Sequence, residues 1–207
     1  MVLVSHKYKF IYIKNRKVAG SSVESFFGKF CINPEKTYHY KDSIEQIIDD
    51  HGIIGSRCGK VEEGDIWKNH IPAAKIKKQL GNNKFNKYFK FAVIRNPYDV
   101  LVSSYYYEES KLDFKDYAKT RIVDNLSRCC INGESVCDYY IRYENLLEDI
   151  VNVCKILKID NYDINTLPNH KSKIRPKNSY RDYYDEETRI KVYNNHKEIF
   201  EKFGYEF

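Results

Sequence analysis

The sequence predicts an α/β fold, a parallel sheet covered by helices on both faces. Three observations predict it. Short runs of aromatic and β-branched residues recur at Lys9–Ile13 (KFIYI), Tyr88–Ile94 (YFKFAVI) and Asp138–Arg142 (DYYIR), as buried strands require. Each run is followed by a segment whose apolar residues fall at helical spacing. No linker or internal repeat interrupts this alternation, so residues 1–207 are expected to form one domain.

The elements follow in order. After the first strand comes a polar loop, Lys14–Gly20, and then a helix over Ser21–Phe30 with Val23, Phe26, Phe27 and Phe30 on one face. Ser43–Ile48 is expected to be helical and Gly52–Gly64 a loop. Pro72 suits the first turn of a helix that Gly81 ends. Behind the strand at Tyr88–Ile94, Asn96 is placed to cap and Pro97 to open a helix running to about Tyr107. Asp113–Leu126 and Glu144–Leu157 read as further helices, and Asn169–Arg181 as a basic loop. The last helix is expected over Asp185–Phe203, with Asp185 as its cap and Gly204 as its stop.

Composition bounds the function. Hydrophobic residues make up 42% and charged residues 31%, enough for a core and too little charge for disorder. The net charge is +6, which suits an anionic ligand, a nucleic acid or an acidic surface. The chain has six cysteines but no C-x-x-C, so a zinc site is disfavoured. These cysteines are expected to be mostly reduced, in a reducing compartment. No apolar run reaches the length of a membrane span, and the N-terminal stretch lacks the apolar core of a signal peptide. A soluble protein in the cytoplasm is the expectation.

Two segments carry chemistry. The first is Lys17-Val18-Ala19-Gly20-Ser21-Ser22, between a strand and a helix. Such a turn aims backbone N–H groups and the helix dipole at one spot and binds phosphate. Gly20 is expected to allow close backbone approach, Ser21 and Ser22 to add hydroxyls, and Lys17 to add a mobile positive charge. A Walker A loop places its lysine directly after its second glycine. Here Lys17 precedes Gly20, so a nucleotide triphosphatase is disfavoured. The second segment is Arg95-Asn96-Pro97-Tyr98-Asp99, with Ser103 further on. Arg95 ends a strand, where doubly wound sheets bind ligands, and its fork could share a phosphate with Ser103. The alternative is that Arg95 pairs with Asp99 and Ser103 only packs.

Together these segments resemble a family. Lys-Val-Ala-Gly-Ser-Ser resembles the 5′-phosphosulfate loop of sulfotransferases that use 3′-phosphoadenosine 5′-phosphosulfate (PAPS). Phe91–Tyr105 is similar to their 3′-phosphate strand and helix. Ile141–Leu146, Asn169–Arg175 and the ending Phe203–Phe207 extend the likeness, which is nearest to the Golgi carbohydrate sulfotransferases and their bacterial and viral relatives. Cys31–Asp65 shows no clear match.

The resemblance implies a P-loop-like three-layer fold and a set of roles. Lys17 would stabilise the leaving group. Ala19, Gly20, Ser21 and Ser22 would hold the 5′-phosphosulfate, Arg95 and Ser103 the 3′-phosphate, and Lys173 and Arg175 other parts of the nucleotide. No metal is implied. The expected base is His70, whose place before a helix start favours the neutral imidazole, with His39 and Glu63 as rivals. The expected partner is an acceptor, a carbohydrate or small hydroxylated molecule, and not nucleic acid. Tyr105, Tyr106 and Tyr107 are candidates for stacking on it. The competing readings are a P-loop type kinase of nucleotides or small molecules, and a non-catalytic basic module that binds polyanions.

Overall fold

The computed structural model describes residues 1–40, 45–57, 66–168, 170 and 175–207. They form two compact units. The first comprises Met1–Ile94 and Asn125–His170, the second Arg95–Asp124 and Lys171–Phe207.

Unit one holds the strands β1 (Leu3–Ser5), β2 (Phe10–Ile13), β3 (Ile47–Asp49), β4 (Gly52–Ile54), β5 (Phe89–Ile94), β6 (Cys130–Ile131), β7 (Glu134–Ser135) and β8 (Tyr139–Arg142). Its first three helices are α1 (Gly20–Phe27), α2 (Ala73–Leu80) and α3 (Asn82–Lys87). Six strands form one sheet in the order β3-β4-β1-β2-β5-β8, and β6 and β7 form a separate hairpin. The pairs β2–β5 and β5–β8 are parallel, as expected. The pairs β1–β2, β1–β4 and β3–β4 are antiparallel, so the sheet is mixed. The connections from β1 to β2 and from β3 to β4 are too short for a crossover, which needs a dozen residues or more. Strand β3 includes Ile47 and Ile48 from the segment expected to be helical, and β4 lies where a loop was expected.

Alternation along β2 covers both faces of the sheet. Phe10 and Tyr12 meet Phe91, and Phe27 of α1 packs on Phe10 and Phe91 at ring distances of 5.7 and 5.0 Å. Ile11 and Ile13 join Ala92 in a core cluster with Trp67, Ile76 of α2 and Phe85 of α3. The result is helix, sheet, helix: the three-layer, P-loop-like α/β class.

Unit two holds α4 (Pro97–Glu108) and α5 (Phe114–Thr120). Unit one resumes with α6 (Leu146–Ile156), and unit two ends with α7 (Glu186–Asn195) and α8 (Lys197–Phe203). Asn96 caps α4 by accepting from the Tyr98 N–H at 3.1 Å. Asp185 caps α7 through the Thr188 N–H at 2.9 Å, and Gly204 ends α8 at φ 61°. The single helix expected over this stretch is broken at His196, which is buried and leaves the helical region at φ −127°. Its Nδ1 lies 2.9 Å from the Val192 carbonyl, and its Nε2 accepts from the Val123 N–H at 3.0 Å. A ring pinned at both nitrogens holds the break. Among the described residues, no helix is long and apolar enough to cross a membrane.

Candidate active site

In unit one the site grows from the loop between β2 and α1. Asn15 is buried and donates to the Val93 carbonyl of β5 at 2.9 Å, which anchors the start of the loop. The Asn125 amide holds the next peptides. Its Oδ1 accepts from the Arg16 N–H and its Nδ2 donates to the Arg16 carbonyl, each at 2.9 Å. Val18 is fully buried between two residues in the left-handed region, Lys17 at φ 60° and Ala19 at φ 58°. This conformation is costly for a residue with a Cβ and persists only where its surroundings over-determine it.

Ala19 is the N-cap of α1 and has no side-chain oxygen, so no side chain caps the first turn. An oxyanion can take that place, where the dipole and the first N–H groups favour negative charge. Ser21 is half-buried at this turn. Ser22 is buried, and its hydroxyl oxygen accepts from the His170 N–H at 3.3 Å, which leaves its O–H to donate.

At Gly20 the structure shows a packing reason for the glycine. Its φ is not positive, and a Cβ there would meet Lys14 Cγ at 3.1 Å and Tyr12 Oη at 3.2 Å. The glycine makes room for the protein's own Lys14 stem. That stem leads to a buried pair with Glu24 of α1, Nζ to Oε2 at 2.5 Å. Glu24 shares the buried face of α1 with Gly20, Val23 and Phe27, and it also takes the Met1 amine at 3.0 Å. A carboxylate on an otherwise apolar helix face was the available signal for this pair, and the sequence reading passed over it.

His70 lies beside the same loop. Its Nδ1 is 3.1 Å from the Lys14 carbonyl oxygen, and its own carbonyl accepts from Arg128 Nη1 at 2.8 Å. Burial first, then the Lys14 ammonium and the nearby N-terminal amine, lower its pKa to about 3. The ring is therefore neutral at pH 7. A carbonyl only accepts, so Nδ1 carries the proton and Nε2 remains as the acceptor. The cause of neutrality is burial among cations, where the sequence reading expected a helix N-terminus. His70 itself stands at φ 55°, a further left-handed residue beside this loop. Of its rivals, His39 is exposed, and Glu63 lies outside the described residues.

Unit two carries the arginines. Arg95 is buried and grips Asp99 with two nitrogens, Nε at 2.7 Å and Nη2 at 2.6 Å. Arg175 Nη1 bonds the other oxygen of the same carboxylate. Two guanidinium groups thus share one carboxylate. The pairing of Arg95 with Asp99, weighed as an alternative from the sequence, is present. Ser103 is one helical turn beyond Asp99 on α4 and half-buried. Lys173 lies outside the described residues.

Two of the three tyrosines considered for stacking are used inside unit two. Tyr105 donates to the Leu112 carbonyl at 3.0 Å, and the Tyr106 and Tyr183 hydroxyls lie 3.0 Å apart. Both pack against the core cluster of Tyr98, Leu101 and Phe114, and Tyr107 is exposed. Among the described residues, no group of three or more His, Cys, Asp or Glu could hold a metal ion. No disulfide joins the five described cysteines to one another, and Cys58 lies outside the described residues.

A search of curated proteins and a search of solved structures each found no match. A family model described as "Sulfotransferase family" matches residues 1–206. The match covers nearly the whole chain, and the chain belongs to the sulfotransferase family.

Proposed function

We propose that this chain transfers a sulfuryl group from PAPS to a hydroxyl or amine of an acceptor, with glycans as the leading class, and releases adenosine 3′,5′-bisphosphate. The observation that carries the reading is the start of α1, which follows Lys17 and has no side-chain cap. An oxyanion there would supply the cap. Ala19, Gly20, Ser21 and Ser22 would hold the 5′-phosphosulfate by backbone and hydroxyl. Arg95 and Ser103 would hold the 3′-phosphate. Arg175 joins that group because it shares Asp99 with Arg95, and guanidinium forks suit a phosphate. Lys173 is included on resemblance alone. All of 1–207 acts as one functional domain in this reading.

The transfer balances simply. The acceptor oxygen or nitrogen attacks sulfur as the bond from sulfur to the bridging oxygen breaks. The electron pair stays on that oxygen, which the Lys17 ammonium stabilises. The acceptor's proton passes to Nε2 of His70. A bound phosphosulfate adds negative charge near the cations that depress the His70 pKa, so donor binding would strengthen the base.

Nucleotide selectivity tests the proposal. Adenosine 3′,5′-bisphosphate is expected to raise the melting temperature well beyond 5′-AMP at equal concentration. Arg95→Ala should erase the difference, because a charge-assisted contact contributes about 1.5–3 kcal/mol. Radiolabelled sulfate should then move from PAPS to members of a glycan panel. Equal melting shifts for the two nucleotides would overturn the reading.

A further inference from the structure

We propose that Asn125 is a positioning residue that holds the phosphosulfate loop in its binding shape; this rests on the nucleotide reading above. Asn125 is buried, opens the second segment of unit one, and is far from the loop in sequence. Its single amide takes both polar groups of Arg16, the N–H at 2.9 Å and the carbonyl at 2.9 Å. The Arg16 carbonyl belongs to the peptide that leads into Lys17. Fixing that plane sets where the left-handed turn at Lys17 begins.

The need for such a clamp is local. Lys17 and Ala19 both sit at positive φ, at 60° and 58°, and neither is glycine. Left alone, both would relax to the ordinary side of the map. The same chain segment supplies a second tie: the Cys129 thiol lies 3.8 Å from Asn15 Oδ1. Two successive loop residues, Asn15 and Arg16, are thus held from one segment, Asn125–Cys129. Asn125 does so with both ends of its side-chain amide. Its action on the nucleotide runs through the shape of the loop.

The test compares adenosine 3′,5′-bisphosphate with adenosine 3′-monophosphate by calorimetry on the full chain. The two differ only in the 5′-phosphate, the group assigned to the loop. Asn125→Ala is expected to lower affinity for the bisphosphate about tenfold or more, the scale of a lost charge-assisted contact, and to leave the monophosphate within about twofold. Asn125→Asp keeps the bond from the Arg16 N–H and should fall between. Val153→Ala, which opens a cavity at a fully buried position of α6, serves as a control for destabilisation alone. Equal loss for both nucleotides in Asn125→Ala, or the same selective loss in Val153→Ala, would overturn the positioning role. If the unaltered chain binds the two nucleotides equally, the nucleotide reading itself fails, a result distinct from either.

Discussion

Lys17 and His70 serve opposite ends of the proposed transfer, so their variants should fail differently. In the proposed reading, the bridging oxygen assigned to Lys17 gains charge only as the bond to sulfur breaks. Lys17→Ala is therefore expected to cut kcat by orders of magnitude and to raise KM for PAPS far less. Lys17→Arg should rescue poorly, since a planar fork replaces a point charge. Steady-state kinetics decide it, and near-normal kcat with weak PAPS binding would make Lys17 a binding residue. His70→Ala is expected to lower turnover roughly 10²–10⁴-fold with little change in affinity for adenosine 3′,5′-bisphosphate. The ring also leaves a mark on stability. Below about pH 6.5 the unfolded chain takes up a proton at His70 that the folded chain refuses until about pH 3. Stability conferred by the neutral, buried ring is present above that range and is lost as pH falls through it. Melting temperature should thus drop from pH 7 to pH 5, and His70→Gln should flatten that drop. An unchanged slope in the variant would show that other groups dominate.

At the scale of elements, the join of β2 to α1 is the sensitive place. Gly20 faces the Lys14 stem and the Tyr12 hydroxyl with room for hydrogen only. Gly20→Ala must push aside a lysine whose ammonium is held by buried Glu24. Such overpacking costs about 1–3 kcal/mol. For a chain of this size that is a fall of roughly 2–12 °C in melting temperature, measurable without any ligand. A variant as stable as the original would mean that the Lys14 stem yields freely. Helix ends were largely legible beforehand, because caps are local: Asn96, Asp185 and Gly204 act within a few residues of their own position. The break at His196 was not, because the N–H that holds its Nε2 comes from Val123, distant in sequence.

For the whole molecule, the net charge of +6 suits an anionic donor, and in the proposed reading Lys17 has the charge-stabilising part that a metal takes in phosphoryl transfer. Activity with PAPS is expected to survive excess EDTA. Abolition by the chelator with recovery on added Mg²⁺ would favour the kinase reading instead. The two units carry separate cores. One is built on Ile11, Ile13 and Ala92 of the sheet, the other on Tyr98, Leu101 and Phe114 of α4 and α5. Strand alternation displays the first. The second is mostly aromatic and drawn from distant helices, and the sequence reading scattered its tyrosines between acceptor contact and packing.

The sequence by itself determined the central strands β2, β5 and β8, the helices that follow them, and the lysine and arginine segments that mark the family. These are short-range patterns: a period of two or 3.6 residues, a cap, a loop of fixed composition. Only the tertiary structure decided that β1, β3 and β4 join the sheet through antiparallel pairs, that Lys14 pairs with Glu24, that Arg95 and Arg175 share Asp99, and that Asn125 holds Arg16. The Lys14 and Arg95 pairs are close in sequence yet gain their strength from burial, which no local pattern reports. Asn125 and Arg175 meet their partners across long stretches of chain, and their contacts exist only once the backbone has folded to bring them together.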